Sequence, residues 1–178
     1  MAKYYSTKTY GTDRGLSCCF RQWRSSHSHC SLLHGYSLGI RLVFESETLD
    51  DRNWVMDFGG LKAFKEWSEY MFDHTLVIAD DDPYIEKFKS LAELGLNDVG
   101  GICDLRIVQG VGCEKFAELV YYKMQEIITS FQTTGTWEFT DARDRVHRYQ
   151  SRYPIGSGVR LKSAEVFEHA GNSAIFEG

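Results

Sequence analysis

The chain has 178 residues, a formal net charge of −5 and 43% hydrophobic residues, which predicts a single globular domain (1–178) with a substantial core. Contacts to phosphates need a dense lysine and arginine surface, and the sequence has no such cluster, so we do not expect nucleic-acid binding. No apolar run approaches the length of a membrane span, and the first residues lack the apolar core of a signal peptide. We therefore expect no membrane segment.

The cysteines are odd in number and have no Cys-x-x-Cys spacing, which argues against a disulfide framework and against a zinc ribbon. Reduced thiols are typical of the cytoplasm, so we expect a cytoplasmic protein. The five thiols are Cys18, Cys19, Cys30, Cys103 and Cys113.

Hydrophobic periodicity predicts an α+β domain with strands first, helices next and strands last. The strand that starts at 3–10 and resumes at 16–23 should pair as a hairpin with the strand at 36–45, and the long loop between them carries most of the polar chemistry. Predicted strands cover 3–10, 16–23, 36–45, 104–108, 136–140, 158–167 and 173–176. Predicted helices cover 58–71, 84–94 and 113–130. We interpret 141–150 as a loop or hairpin tip.

Cys30 and three nearby histidines are the first candidates for a site. Cys30 lies in a polar loop beside His29, and an imidazolium there would stabilise a thiolate, although most free cysteines are simply small buried side chains. His27, His29 and His34 fall within eight residues and would supply the three nitrogen ligands of a catalytic zinc site, unless they are merely solvated.

Two acidic–histidine pairs follow. Asp73 next to His74 ends the first predicted helix, where the pair is either a proton-transferring dyad or a histidine that interacts with the helix dipole. The second pair, Glu168-His169, lies at the end of a predicted strand. An ionised carboxylate there needs a partner such as a ring with two N–H donors, unless it is an edge-strand charge. Glu114 lies in the first turn of the longest helix, which the dipole alone favours.

In order along the chain, these residues resemble the motifs of the 6-pyruvoyltetrahydropterin synthase and 6-carboxytetrahydropterin synthase family. The family pattern is Cys-x-x-x-His-Gly-His, then Asp-Phe before a helix, an Asp-His pair, a Thr-x-Glu helix start and a late-strand Glu. The matching segments are Cys30–Tyr36, Asp57-Phe58, Asp73-His74, Gly112-Cys113-Glu114 and Glu168. Additional length lies at about 80–112 and 136–157.

The resemblance implies a tunnelling fold (T-fold). This fold has a four-stranded antiparallel sheet with helices on one face, in ββααββ order, and its subunits form a barrel as a trimer or hexamer with sites between subunits. By the same resemblance, Glu168 would anchor a pterin, Cys30 would transfer protons with Asp73-His74 as partner, and Glu114 would join the substrate site.

The activity implied is that of 6-carboxytetrahydropterin synthase, a zinc-dependent lyase of queuosine or other deazapurine biosynthesis that acts on 7,8-dihydroneopterin triphosphate. The alternatives are 6-pyruvoyltetrahydropterin synthase and a non-catalytic pterin-binding oligomer. Arg21 or Arg24 would be available to the triphosphate, although a solvated loop charge is the simpler interpretation.

Two of the three zinc histidines that the resemblance implies are absent. Phe20 takes the place of the first and Tyr36 that of the third, so only His34 is retained. In one interpretation, His27 and His29 replace the lost ligands and rebuild a Zn²⁺ site with His34. In the other, the metal is lost and aromatic side chains fill its place. We favour the first as the expectation to be tested against the structure.

Overall fold

The structure, a computed structural model, describes residues 2–95 and 100–178. Residues 96–99, part of the additional segment expected at 80–112, lie outside the described residues. The strands are β1 (Tyr4–Tyr10), β2 (Leu16–Phe20), β3 (His34–Ser46), β4 (Thr75–Ala79), β5 (Asp104–Val108), β6 (Thr136–Thr140), β7 (Val146–Gln150), β8 (Arg160–His169) and β9 (Asn172–Glu177). The helices are α1 (Lys62–Phe72), α2 (Ile85–Glu93) and α3 (Cys113–Thr133). None of these helices is long and apolar enough to cross a lipid bilayer.

Seven strands form one sheet in the order β5-β4-β2-β3-β8-β9, with β1 also paired to β3. Strands β1 and β2 lie in line, interrupted by a short 3₁₀ turn at Thr12–Arg14, and both run antiparallel to the long strand β3. This arrangement confirms the predicted hairpin and places the 21–33 loop at one end of the sheet, where β2 ends and β3 begins.

The expected four-stranded antiparallel sheet and the ββααββ order are too simple. Strand β4 pairs parallel with β2, and β5 pairs parallel with β4, so the antiparallel part is extended by a parallel edge. All five residues of β4 are buried, and a strand buried on both faces shows no alternation from which its period can be read. This is why β4 was missing from the predicted elements.

The expectation that the helices cover one face of the sheet also needs correction. Helices α1 and α3 pack on the face whose side chains form the main core, and Val77 of β4 belongs to that core. Leu76 and Ile78 point the opposite way, because side chains alternate along a strand, and they pack with Phe88 of α2. Helix α2 therefore covers the second face at the β4–β5 edge.

The 136–157 segment contains the separate β6–β7 hairpin, so the loop predicted at 141–150 includes strand β7. Its aromatic face lies against the helices through two side-chain hydrogen bonds. Trp137 Nε1 donates to Glu126 of α3 at 2.7 Å, and the Tyr149 hydroxyl donates to Glu66 of α1 at 2.8 Å. The hairpin is therefore packed on the helix layer.

The turn of this hairpin is organised by the buried carboxylate of Asp141. A hydrogen bond from His147 at 2.9 Å, with further donors on Arg143 and Arg145, holds the pKa of Asp141 well below its usual range. Because the folded-state pKa is depressed, the ionised carboxylate contributes stability above its unfolded-state pKa of about 4, and this contribution is lost as the pH falls through the lower folded-state value.

We expect Asp141→Asn to lower the melting temperature at pH 7. The difference from wild type should shrink as the pH falls below about 4, because the unfolded wild-type chain then takes up a proton that the folded carboxylate still resists. Thermal unfolding followed by circular dichroism across this pH range measures the effect. The exposed Asp144, in the same turn, is the control, and Asp144→Asn should change little. A melting-temperature difference between Asp141→Asn and wild type that stays constant with pH would contradict the stabilising role of the ionised Asp141 carboxylate.

Candidate active site

Three aromatic rings meet where the 21–33 loop joins the sheet. Phe20, the last residue of β2, lies directly opposite His34, the first residue of β3, with ring centroids 5.0 Å apart. Tyr36 lies on the same face of β3, 5.4 Å from His34 and 5.9 Å from Phe20. Phe116 of α3 contacts Phe20 edge-on at 5.1 Å. The positions that the resemblance assigned to zinc ligands therefore converge, and aromatic side chains fill most of that space.

The first turn of α3 brings a thiol against the late-strand carboxylate. Cys113 is buried at the start of α3, and burial, followed by the charge of Glu168, raises the pKa of its thiol to about 12. Glu168 lies near the end of β8, where the pairing of β8 with β9 is irregular. The Glu168 carboxylate is thus held at a helix N-terminus, next to a protonated thiol.

Tyr36 connects this carboxylate to the loop. Burial raises the pKa of Tyr36, and the nearby Glu168, Cys30 and Cys113 raise it further, in that order. These groups lie within electrostatic reach of one phenol, so Cys30 and Glu168 belong to one cluster. We call this cluster, consisting of Phe20, Cys30, His34, Tyr36, Cys113 and Glu168, the Tyr36 cluster.

A glycine allows the 21–33 loop to approach α3 closely. Gly112 has a φ of 109°, and a side chain there would place its Cβ 2.5 Å from Nε2 of Gln22. The backbone N–H of Gln22 donates to the Cys30 carbonyl at 2.8 Å, and the Ser28 hydroxyl accepts from the backbone N–H of Cys30 at 3.2 Å. Close packing at Gly112 therefore positions the turn that carries Cys30.

A buried ion pair connects the 21–33 loop to the segment that follows β4. Arg21 donates to the Asp82 carboxylate through Nε at 2.8 Å and Nη2 at 3.3 Å, and Asp82 is 2% exposed. Arg24 contacts Asp81 at 2.6 Å. Both arginines already have carboxylate partners, so the suggestion that one of them binds a triphosphate is not supported.

Replacing Asp82 by alanine should destabilise the protein by about 2 kcal/mol, because the Arg21 guanidinium would lose a charged partner in a largely buried position. Chemical denaturation measures the change in the free energy of unfolding. The matched control is Asp81→Ala, which breaks an exposed pair and should have a much smaller effect. Equal effects of the two variants would contradict a structural role for the buried pair.

The Asp73-His74 pair forms, but not beside Cys30 of the same chain. His74 Nδ1 lies 2.6 Å from the Asp73 carboxylate, and the His74 side chain is 85% exposed with a left-handed φ of 56°. Thr75, the next residue, is two strands away from Tyr36, about 10 Å at ordinary strand spacing. Because β4 runs parallel to β2, His74 also lies at the end of β4 remote from the 21–33 loop. The dyad thus faces solvent, outside the Tyr36 cluster.

The structure does not bring His27, His29 and His34 together as the ligands of a rebuilt zinc site. Across residues 2–95 and 100–178, no three His, Cys, Asp or Glu side chains are arranged to hold a metal ion. His27 and His29 are exposed, and His34 Nδ1 lies 2.8 Å from the Leu32 carbonyl oxygen. The donor set at the former ligand positions is one imidazole, one phenol and no third donor, so the residues present do not fit the Zn²⁺ that the resemblance implied.

Glu114, the other expected substrate-binding residue, is exposed in the first turn of α3. Its charge reaches Cys113, as one cause of the raised pKa of that thiol. Glu114 therefore lies at the rim of the Tyr36 cluster.

Comparison with solved structures places the chain in the T-fold class. An uncharacterized protein from Wolinella succinogenes matches with a TM-score of 0.67 at 18% identity, covering 100% of this chain and 99% of that one. The 6-pyruvoyltetrahydropterin synthases of Plasmodium vivax, as a catalytic-residue mutant, and Plasmodium falciparum each match with a TM-score of 0.60, at 13% and 11% identity and with the same coverage. At these identities the likeness concerns the fold alone.

The chain belongs to the 6-pyruvoyl tetrahydropterin synthase family, whose model matches residues 12–178. Two curated relatives are 6-carboxy-5,6,7,8-tetrahydropterin synthases. The one from Rickettsia typhi is 34% identical over 59 residues, which is 33% of this chain and 43% of that protein. The one from Aquifex aeolicus is 33% identical over 64 residues, which is 36% of this chain and 40% of that protein. The matches thus span less than half of either relative.

Sequence reasoning did not identify Cys113 or Gln22 as parts of the site. Cys113 stands in the apolar stripe of α3, where a cysteine is usually a small core side chain, so no local signal marks its contact with Glu168. The unusual Gly-Cys-Glu helix start did offer one clue. A glycine just before a helix N-terminus permits close approach of another segment, and here that segment is the loop carrying Gln22.

Proposed function

We propose that this protein binds a pterin at the Tyr36 cluster and converts 7,8-dihydroneopterin triphosphate to 6-carboxytetrahydropterin, as a lyase of the 6-carboxytetrahydropterin synthase type. One observation carries the proposal: Glu168, Cys30 and Cys113 lie close enough to Tyr36 to raise the pKa of its phenol, and the Tyr36 ring packs with His34 and Phe20. This brings a carboxylate and a thiol together at one site. The matches to two relatives with this name support the choice of reaction.

In this proposal the Glu168 carboxylate binds the edge of the pterin ring that presents two N–H donors. A carboxylate accepts two parallel charge-assisted hydrogen bonds from such an edge, which fixes both the position and the orientation of the ring. The Cys113 thiol, with a pKa of about 12, stays neutral beside Glu168 and leaves the negative charge on the carboxylate. The ring would then lie against Tyr36.

Cys30 would move protons to and from the carbon atoms of the pterin side chain, a role that requires direct contact with that side chain. Asp73-His74 of a neighbouring subunit would exchange protons with this thiol, since the pair faces solvent and lies away from Cys30 in its own chain. The enzyme is therefore proposed to act as a homo-oligomer, a trimer or a hexamer. No step is assigned to a metal, because the donors do not fit one.

The overall reaction consumes one water and releases triphosphate and acetaldehyde, in the cytoplasm and in the service of queuosine or related deazapurine synthesis. Incubating the purified protein with 7,8-dihydroneopterin triphosphate and measuring acetaldehyde tests this directly. A pyruvoyl product without acetaldehyde would favour the 6-pyruvoyltetrahydropterin synthase alternative.

The second candidate is a pterin-binding protein without turnover. It is favoured by one observation, the replacement of the expected metal-binding positions by Phe20 and Tyr36. Pterin binding with neither acetaldehyde nor a pyruvoyl product would support this candidate over the lyase.

A further inference from the structure

We propose that the Tyr36 cluster holds its pterin without a metal, and that the Tyr36 hydroxyl donates a hydrogen bond to an oxygen atom on the pterin side chain. This inference rests on the proposed pterin-binding function and names how the side chain is recognised. It predicts that pterins whose side chain carries an oxygen near the ring bind more tightly than pterins that lack this oxygen.

The first step of the argument is the geometry at the start of β3. Phe20 and His34 are cross-strand partners, and Tyr36 follows two positions later on the same face. Their centroid separations of 5.0, 5.4 and 5.9 Å describe one packed group rather than three independent side chains. A ligand that enters here would meet the partly exposed rings of His34 and Tyr36, which pack on the buried ring of Phe20.

The second step is the donor set. A catalytic zinc site uses three protein ligands with nitrogen, sulfur or oxygen donors. Phe20 has no lone pair, is fully buried and is wedged between His34 and Phe116, so it occupies the volume without contributing a donor. His34 makes its Nδ1 contact with the Leu32 carbonyl and leaves only Nε2 free for another partner. One imidazole does not make a zinc site.

The third step is what Tyr36 supplies instead. A phenol is protonated at neutral pH and donates a hydrogen bond, where an imidazole ligand would have offered a lone pair to a metal. Tyr36 is half-buried and packs against His34 and Phe20, and Glu168, Cys30 and Cys113 are close enough to raise the pKa of its phenol. A pterin anchored on Glu168 would therefore bring its side chain past this hydroxyl, and the ring of Tyr36 would offer an apolar wall to the heterocycle.

Elemental analysis of the purified wild-type protein, after incubation with excess Zn²⁺ and desalting, tests the metal part. We expect no stoichiometric zinc in wild type or in the control Phe20→His, and about one zinc per chain in the double variant Phe20→His/Tyr36→His, which would supply three imidazoles. Stoichiometric zinc in wild type would overturn the inference. Because this result needs no variant, a folding failure of the double variant would not remove the test.

Fluorescence titration tests the hydrogen bond, with 7,8-dihydroneopterin and unsubstituted pterin as ligands and with a chelator present or absent. We expect wild-type binding to be unaffected by the chelator. Tyr36→Phe should lower the affinity for 7,8-dihydroneopterin by about 2- to 10-fold and leave the affinity for unsubstituted pterin unchanged. Only 7,8-dihydroneopterin has the side-chain oxygens that the hydroxyl would bind. A merely structural role of the hydroxyl would weaken both ligands equally and would overturn the inference.

The same titration separates the two proposals. Binding of 7,8-dihydroneopterin that requires added zinc would overturn the metal-free inference and leave the proposed function intact. Absence of binding to wild type, with zinc and without it, would overturn the proposed function and the inference together.

Discussion

Replacing Cys30 by alanine is expected to lower kcat for acetaldehyde release by about 10²- to 10⁴-fold, the usual contribution of a positioned proton-transfer group. The thiol lies near Tyr36, as Glu168 also does, and we expect the side chain of a bound pterin to pass Tyr36. The affinity for the pterin should change little, because the ring is anchored elsewhere, on Glu168. Steady-state kinetics and fluorescence titration of the same preparation measure the two quantities separately.

Cys103→Ala is the matched control for Cys30. Cys103 is also a partly exposed free thiol, but it packs with the small apolar cluster under α2, outside the Tyr36 cluster. Its removal should leave kcat unchanged. Undiminished turnover in Cys30→Ala would take the thiol out of the mechanism, whereas a parallel loss in both variants would point to a general effect on folding.

Replacing Glu168 by glutamine should weaken pterin binding by about 10- to 100-fold, because it removes the charge from two hydrogen bonds at a partly buried site. The side chain keeps its size, so the packing against Cys113 is retained. Fluorescence titration with 7,8-dihydroneopterin, which requires no turnover, gives the dissociation constants.

Glu165→Gln is the control on the same strand. Three positions earlier, Glu165 contacts Arg41 and Ser173 on the face of the sheet opposite the main core. It carries the same charge but cannot reach the Tyr36 cluster, so its replacement should leave binding unchanged. Equal losses in the two variants would mean that net charge, rather than a specific contact, governs the affinity.

Local sequence patterns predicted the parts of the fold that depend on local periodicity. The apolar stripe of α3 and the alternation along β3 each determine one buried face, and the structure confirms both elements. The continuous apolar run of β4 carries no such period, and its parallel pairing with β2 brings together residues more than fifty positions apart. Neither the extra strands nor the position of α2 follows from local pattern alone.

Only part of the Tyr36 cluster could be singled out from the sequence, and its arrangement could not. Cys30 and Glu168 were singled out from motifs, and the structure places both near Tyr36. The three histidines were grouped because they are close in sequence, yet the turn at His29–Ser31 leaves His27 and His29 exposed. Proximity along a loop does not make side chains converge, whereas the cross-strand pair of Phe20 and His34 does.

The position of Asp73-His74 illustrates the same limit. Asp73 and His74 contact each other because they are adjacent in sequence. What the pair faces depends on the strand order, because β2 lies between β4, which follows the pair, and β3, which carries Tyr36. Its proposed role therefore depends on a second subunit, which no pattern within one chain specifies.

The most direct measurement of the central claim is a crystal structure of the protein with 7,8-dihydroneopterin bound. We expect the ring's N–H edge within hydrogen-bonding distance of the Glu168 carboxylate, about 2.7–3.0 Å, with its side chain directed toward Tyr36 and Cys30. A pterin bound at another surface, with the Glu168 carboxylate still facing only Cys113, would contradict the account.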